Sequence, residues 1–144
     1  MNIWKSYMTK FFFASLLLIS AGHLPAAAGN VYVLTVHELN GGLSKSQNLA
    51  QKGFTLIDVR TIDEHRTGFI PGTDLNIDFR EIGVRHQEIG ASFDDHIVVY
   101  CQSGHRSNIA AETLAHIGYK HVYNVAGSMN AWTEAGYPVQ NIRR

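Results

Sequence analysis

The 144-residue chain contains one cysteine, Cys101, and that residue stands beside a concentration of polar residues. It follows the apolar run His96–Tyr100 and precedes the sequence Gln102-Ser103-Gly104-His105-Arg106. A loop between a strand and the helix after it presents backbone N–H groups that lack an intrahelical partner and therefore bind anions. A thiol in such a loop loses its proton easily, and the thiolate is a nucleophile. A buried structural cysteine would not account for these polar neighbours, so the sequence predicts a reactive one.

Three loop residues add to this chemistry. Gly104 allows the backbone to turn with positive φ or to be approached closely. Arg106 supplies a permanently charged, fork-shaped donor for an oxyanion, and we expect the loop to be the one strongly positive spot of the domain. For His105 two interpretations stand side by side: its charge influences which substrate binds, or it is a solvated loop residue.

The remaining composition excludes several classes of function. Equal numbers of basic and acidic residues, 12 of each, give a formal net charge of zero, which argues against a nucleic-acid binder. A single cysteine excludes a disulfide framework and a cysteine-rich zinc site. Beyond residue 28 the histidines form no H-x-H or H-E-x-x-H pair, so we predict no metal site.

The elements that must position the loop alternate between strand-like and helix-like patterns. The strand-like runs are Val31–Leu34, Phe54–Val59, Asn76–Phe79, His96–Tyr100 and Val122–Val125. A capping box at Thr35 predicts the start of a short helix, which Gly41-Gly42 should soon end. Further helix-like patterns cover 80–90, Ser107–Ile117 and Ser128–Ala135. This alternation predicts an α/β fold with a mostly parallel sheet.

Residues 1–28 have the pattern of an export signal. Lys5 and Lys10 precede the apolar run Phe11–Ile19, and the small residues 26–28 fit the A-x-A cleavage pattern. The apolar run is about half the roughly 20 residues of a membrane-spanning helix, so we expect cleavage, with a retained anchor as the alternative. The expected mature domain, residues 29–144, keeps 10 basic and 12 acidic residues. We expect it to be exported, in a bacterium to the periplasm, without stable membrane association.

Four motifs, in matching order, resemble those of rhodanese-like sulfurtransferases. The residues Cys101–Ser107 resemble the C-x-x-G-x-R-S active-site loop of that family. Leu56–Arg60, followed by Glu64-His65, resembles the first signature of the family, and Gly68–Thr73 resembles the G-H-I-P-G-A element that ends it. Val122–Trp132 resembles the closing V-x-x-L-x-G-G-x-x-x-W signature. The resemblance runs from about Thr35 to Val139.

The resemblance implies one α/β domain with the rhodanese-like three-layer fold, a five-stranded mostly parallel sheet with helices on both faces. It also implies a ping-pong reaction in which Cys101 is the catalytic residue. Its thiolate takes the outer sulfur of thiosulfate or a related donor as a persulfide and passes it to cyanide or a thiol. Persulfide and donor would be held by the substrate-binding residues Gln102, Ser103, Gly104, His105 and Arg106. The implied partners are a small-molecule sulfur donor and acceptor; no cofactor is required, and we expect a monomer.

Asp58 and Arg60 end the strand Phe54–Val59, at the edge of the sheet where α/β proteins place their sites. The resemblance implies a supporting role for both in ordering loops around the pocket, and in one arrangement Arg60 pairs with Glu64. The alternative is a surface ion pair that contributes little.

Phe69 stands in place of a histidine that is frequent in the family, which concerns only packing. Two other departures from the family pattern and two other functions remain. Ser128 stands where the second glycine of the closing signature is common, and the segment 73–77 is one residue longer than usual; we expect neither to touch the loop chemistry.

The first alternative function is a rhodanese module that carries sulfur or binds a partner without catalysis. The second is a Cdc25-type phosphatase, whose loop has seven residues from cysteine to arginine. This chain has six, Cys101 to Arg106, which favours sulfur transfer.

Overall fold

Five short apolar or β-branched segments assemble into one sheet in a computed structural model that describes residues 28–46 and 52–142. The strands are β1 (Asn30–Leu34), β2 (Thr55–Asp58), β3 (Leu75–Asn76), β4 (His96–Tyr100) and β5 (His121–Val125). They lie in the order β1-β5-β4-β2-β3, and every neighbouring pair is parallel. The apolar strand β4 is therefore central, as its sequence predicts.

The helices cover both faces of this sheet. They are α1 (Val36–Lys45), α2 (Ile62–Thr67), α3 (Ile82–Arg85), α4 (His105–Ile117) and α5 (Ser128–Glu134), with a 3₁₀ helix over His86–Ile89. Alternate strand residues point to opposite faces, so Ile57 and Val99 pack with Leu114 of α4, whereas Leu56 and Val98 pack with Trp132 of α5. This arrangement confirms the predicted α/β fold, a five-stranded parallel sheet with helices on both faces.

Helix α1 is longer than the sequence predicts. The expected capping box is present at Thr35 and Glu38, but the helix continues through Gly41 and Gly42 to Lys45. One face of α1 is buried, and that burial offsets the cost of two helical glycines, about 1 kcal/mol each. The ring of Phe54 packs beside Gly42, where a Cβ would lie 3.4 Å from the ring, about an ordinary van der Waals contact.

The sequence patterns do not predict α2, and three other elements differ from the prediction by more than one residue at an end. The strand expected over Asn76–Phe79 is β3 at Leu75–Asn76, because the chain turns at Asp78, whose carbonyl accepts the N–H groups of Glu81 and Ile82. The helix expected over 80–90 is split into α3 and the 3₁₀ helix and ends at Gly90 in the left-handed conformation. Helix α4 begins at His105 rather than Ser107, which places His105 and Arg106 in its first turn.

The predicted export signal falls outside the part of the chain that the structure describes, apart from Ala28. Within residues 28–46 and 52–142, no helix is long and apolar enough to cross a membrane. The cleavage site, and the choice between a cleaved signal and a retained anchor, therefore stay predictions.

Candidate active site

Cys101 directly follows the central strand β4. Asp58 at the end of β2 pairs in register with Tyr100, and the N–H of Val59 donates to the carbonyl of Tyr100 at 2.9 Å. The strands are parallel, so the ends of β2 and β4 meet at one edge of the sheet. Asp58, Arg60 and Cys101, predicted as site residues, therefore lie side by side at this edge.

The start of α5 orients the peptide groups of the Cys101 loop. The N–H of Met129 donates to the carbonyl of Cys101 at 3.1 Å, and the N–H of Asn130 donates to the carbonyl of Gln102 at 3.0 Å. In a trans peptide the next N–H points opposite to the carbonyl. With these carbonyls held toward α5, the N–H groups of Gln102 and Ser103 face away from that helix.

Gly104 completes the turn of the loop. It adopts φ 98°, in the left-handed region, as the residue immediately before α4. Its N–H donates to the Sγ of Cys101 at 3.1 Å. A Cβ at this position would lie 3.2 Å from the backbone nitrogen of Gly127. The positive φ and close approach that the sequence predicts for Gly104 are both present.

The environment of the Cys101 thiol favours its ionised form. Burial acts to raise the pKa of the thiol, but hydrogen bonds from the Ser107 hydroxyl and from the backbone N–H groups of Ser107, Gly104 and Ser103 outweigh it. The net result is a pKa below the usual value of a cysteine. Cys101 has no solvent-exposed surface, so its sulfur lies at the floor of the loop.

A buried polar cluster that the sequence reasoning missed lies behind the thiol. The Ser107 hydroxyl is 3.3 Å from the Sγ of Cys101 and 2.6 Å from the Oδ1 of Asn124. A hydroxyl carries one proton, and a charged acceptor forms the stronger bond, so ionisation of Cys101 draws the Ser107 proton to the sulfur. Asn124 in turn donates to the carbonyl of Gly104 at 3.2 Å.

Ser128 also contacts the loop, contrary to expectation. Its hydroxyl oxygen accepts the N–H of Cys101 at 3.0 Å and donates its proton to the carbonyl of Val125 at 2.9 Å. The expectation that this departure from the family pattern does not touch the loop chemistry is wrong to this extent: Ser128 bonds the backbone of the residue that carries the nucleophile. The serine replaces a glycine hydrogen with a hydroxymethyl group, whose oxygen makes this contact.

Arg106 lies on a carboxylate instead of pointing freely into the loop. Its two Nη atoms donate to the two oxygens of Glu64, at 2.9 and 2.7 Å. The guanidinium holds the pKa of Glu64 at about 2, so the pair is ionised at neutral pH. The arrangement in which Arg60 pairs with Glu64 is wrong, and the loop arginine has its charge matched rather than forming an isolated positive spot.

Asp58 and Arg60 form a buried pair, not a surface one. Arg60 donates from Nη2 to the Oδ2 of Asp58 and to the carbonyl of Gly68, both at 2.6 Å. The Nδ1 of His65 lies 2.9 Å from the same Asp58 oxygen. Arg60 also reaches the Oε1 of Gln102 at 3.4 Å. The pair thus ties the first signature, the Gly68 turn and the loop together, although it does not contact the thiol.

The other loop residues differ in what they contact. The Gln102 side chain donates to the Oδ1 of Asn130 at 2.6 Å, so it bridges to α5. Ser103 and His105 have exposed side chains, and both interpretations of His105 stay open. Among residues 28–46 and 52–142, no three His, Cys, Asp or Glu side chains come together in a way that could hold a metal ion.

Comparisons with known proteins agree with this geometry. A family model for the rhodanese-like domain matches residues 35–135. A sulfurtransferase from Allochromatium vinosum is 38% identical over 97 residues, which cover 67% of this chain and 88% of that protein. Thiosulfate sulfurtransferase 18 from Arabidopsis thaliana is 35% identical over 108 residues, covering 67% of this chain and 79% of that protein.

A solved structure shows the same fold. The crystal structure of a rhodanese-related protein from Thermoplasma volcanium has a TM-score of 0.61 at 28% identity, covering 76% of this chain and 97% of that one. The matched residues 35–135 include every strand except β1 and the whole of the Cys101 loop. With relatives that are named sulfurtransferases, sulfur transfer is supported at the level of the family. The chain belongs to the family of rhodanese-like domain proteins.

Proposed function

We propose that this protein is a thiosulfate sulfurtransferase that works through a persulfide on Cys101. The observation that carries the proposal is the hydrogen bonding of the thiol. Gly104 and Ser107 both donate to the Sγ of Cys101, at 3.1 and 3.3 Å, and the pKa of the thiol is lowered in spite of its burial. Such a cysteine is a nucleophile without a separate general base. The Arabidopsis relative named for thiosulfate supports this choice of donor.

In the first half-reaction the Cys101 thiolate attacks the outer sulfur of thiosulfate. A new S–S bond forms to Cys101, the S–S bond of thiosulfate breaks, and sulfite leaves with that electron pair. One thiolate and one dianion become one persulfide anion and one dianion, so no proton, oxidant or reductant is needed. The N–H groups of the loop and the start of α4 stabilise negative charge on the donor and on the persulfide.

In the second half-reaction an acceptor removes the outer sulfur of the persulfide. Cyanide attacks that sulfur, the S–S bond to Cys101 breaks, and thiocyanate leaves as the thiolate is restored. A thiol acceptor reacts in the same way through its thiolate and leaves as a persulfide. The hydrogen bonds of Gly104 and Ser107 to Sγ stabilise the thiolate as the leaving group of this step.

Incubation with thiosulfate and cyanide, followed by measurement of thiocyanate, tests the proposal. We expect turnover by the wild type and none by Cys101→Ser; unchanged thiocyanate production by that variant would overturn it. The mass of the intact protein after thiosulfate alone should rise by one sulfur atom, and Cys101 is the single cysteine that could hold it. Sulfur uptake without turnover would indicate a carrier, and hydrolysis of an aryl phosphate without sulfur uptake would indicate a phosphatase.

We further propose that the protein is exported and that residues 1–28 are removed. The pattern of Lys5 and Lys10, the apolar run Phe11–Ile19 and the small residues 26–28 supports this proposal. Expression of the full chain in a bacterium, with fractionation and N-terminal sequencing, tests it. We expect periplasmic protein that begins at Gly29. Full-length protein in the membrane fraction would support a retained anchor instead.

A further inference from the structure

Three arginines stand around the Cys101 loop, and each is matched by a carboxylate. Arg60 pairs with Asp58 at 2.6 Å, and Arg106 pairs with Glu64 at 2.7 Å. Arg80 pairs with Asp78 at 2.6 Å, and Asp78 is close enough to Arg106 for that positive charge to lower the pKa of its carboxyl. A doubly charged donor that approaches this loop therefore meets paired arginines, with the backbone N–H groups as its main source of attraction.

Glu64 is held in place for its contact with Arg106. It is the third residue of α2, and its Oε2 accepts the backbone N–H and the hydroxyl of Thr61, at 3.1 and 2.9 Å. The N–H of Glu64 returns a bond to the Thr61 hydroxyl, which completes a capping box. The carboxylate is thus fixed by its own helix before Arg106 binds it, and it does not have to reorganise to form the pair.

The position of Arg106 shows what Glu64 competes with. Arg106 lies in the first turn of α4, and its charge interacts with that of the Cys101 thiolate. A guanidinium binds carboxylates and other oxyanions through the same pair of N–H groups. In this structure the carboxylate of Glu64 takes one N–H from each Nη atom of Arg106, so the oxyanion of a donor is left the remaining N–H groups of a guanidinium whose charge is already matched.

We infer that Glu64 is a specificity-determining residue, which, by neutralising Arg106, disfavours dianionic sulfur donors relative to singly charged ones. The inference rests on the proposed sulfur transfer and narrows its substrate class. The favoured donors are organic thiosulfonates and persulfides, which place one charge or none beside the loop. Thiosulfate remains a substrate, but it is bound with less help from Arg106 than the loop sequence implies.

Methanethiosulfonate is the probe that isolates this effect, because a methyl group replaces one anionic oxygen of thiosulfate. The Cys101 thiolate attacks its outer sulfur, the S–S bond of the donor breaks, and methanesulfinate leaves with the electron pair. The persulfide formed is the same as with thiosulfate. A change in the ratio of kcat/KM for the two donors, from wild type to variant, therefore reports the effect of the substitution on binding of the extra negative charge.

The experiment measures kcat/KM for both donors, with cyanide as acceptor, in the wild type and in Glu64→Gln. Glutamine also fits the third position of a capping box, so the variant removes the charge and keeps the helix start. We expect the ratio of thiosulfate to methanethiosulfonate kcat/KM to rise about three- to tenfold, the effect of removing one charge several ångströms away at a partly solvated site. The increase should shrink at high ionic strength.

Glu38→Gln is the matched control, because Glu38 forms the same capping box with Thr35 at the start of α1 and is in none of the arginine ion pairs of the described residues. It should leave the donor ratio unchanged. In an Arg106→Gln background the effect of Glu64→Gln should be smaller, because no guanidinium is released and only the direct repulsion between the Glu64 carboxylate and the donor is removed. The inference is overturned by an unchanged donor ratio in Glu64→Gln, or by an equal increase in the Arg106→Gln background. Turnover by the wild type in the same experiment would still support the proposed sulfurtransferase. Absence of wild-type turnover with both donors overturns the proposed function itself.

Discussion

The hydroxyl oxygen of Ser128 accepts the backbone N–H of Cys101 at 3.0 Å. Helix α5 thus reaches the residue that carries the nucleophile through a side chain as well as through its first backbone N–H groups. Ser128 is also the one described residue other than glycine with positive φ, at 46°. A non-glycine residue in the left-handed region costs about 1 kcal/mol, and here the hydrogen bond to Cys101 offsets that cost.

Two substitutions at Ser128 separate the hydrogen bond from the backbone strain. Ser128→Ala leaves the N–H of Cys101 buried without its partner while the strain remains, so we expect a loss of about 1 to 3 kcal/mol in the free energy of unfolding. Ser128→Gly loses the same bond but relieves the strain, and it should be more stable than the alanine variant by about 1 kcal/mol. Urea denaturation measures both. An alanine variant as stable as the wild type would contradict the role assigned to the hydroxyl.

Ser107→Ala should raise the pKa of the Cys101 thiol. The variant removes the hydroxyl that donates to Sγ at 3.3 Å, and loss of a hydrogen bond to a charged group costs about 1.5 kcal/mol, or about one pKa unit. Because a higher pKa leaves less thiolate at a given pH, sulfur uptake below that pKa should fall about tenfold and recover at higher pH. The ultraviolet absorbance of the thiolate, followed during a pH titration, measures the shift directly.

Ser107→Thr serves as the control for that titration, since threonine retains the hydroxyl. It should keep the lowered pKa of Cys101 even where its extra methyl group reduces stability. A pH profile that is the same in Ser107→Ala and the wild type would show that the backbone N–H groups alone hold the thiolate.

Gly104→Ala should damage the loop more than an equivalent glycine elsewhere. A Cβ at Gly104 meets both a positive φ of 98° and the backbone nitrogen of Gly127 at 3.2 Å. Gly90 has a comparable φ of 66°, and nothing lies within 4 Å of its Cβ position. Both variants should lose about 1 kcal/mol of stability from strain, but only Gly104→Ala should lose most of its thiosulfate turnover. Equal activity in the two variants would show that the loop tolerates a side chain there.

Local patterns predict the central strand and the position of Cys101 because both depend on residues that are adjacent in sequence. The apolar run His96–Tyr100 and the polar loop after it need no distant contact to be recognised. Ser128 is different, because its hydroxyl reaches Cys101 only once β4 and β5 are paired side by side. Its substitution for the family's glycine was visible, but its consequence was not.

The ion pairs also depend in part on contacts between distant residues, which local sequence patterns do not predict. A helix brings residues four apart onto one face, which makes a contact between Arg60 and Glu64 a natural guess. Thr61 is the N-cap of α2, however, so Arg60 lies outside the helix and turns back onto Asp58. Glu64 instead meets Arg106, 42 positions further along the chain. Arg60 has its partner two residues away, but the partner of Glu64 is set by how the ends of β2 and β4 are aligned, and spacing along the chain does not predict it.

Arg60→Met should be strongly destabilising because it removes the guanidinium from a buried carboxylate, which keeps, among the described residues, only the ring nitrogen of His65 and the backbone N–H of residue 60 as partners. Asp58 has no exposed surface, and Arg60 is 3% exposed. Breaking a buried pair from one side costs about 3 to 5 kcal/mol, and addition of Asp58→Asn should recover part of that loss by removing the remaining charge. Arg80→Met breaks the pair with Asp78, where the arginine side chain is 66% exposed, and should change stability little. Similar losses in Arg60→Met and Arg80→Met, in urea denaturation, would contradict this difference.

The pair of Glu64 with Arg106 should make stability depend on pH in the acid range. Arg106 holds the pKa of Glu64 at about 2 in the folded protein, against an ordinary value of 4.5. The carboxylate binds fewer protons when folded than when unfolded, so its contribution is complete above about pH 4.5 and is lost as the pH falls toward 2. Both side chains are partly exposed, and solvent screening limits this contribution to about 1 kcal/mol.

Between pH 5 and pH 2 the free energy of unfolding should therefore fall by about 1 kcal/mol more in the wild type than in Glu64→Gln. Parallel curves for the two proteins, measured by urea denaturation across that range, would mean that the pair contributes nothing to stability.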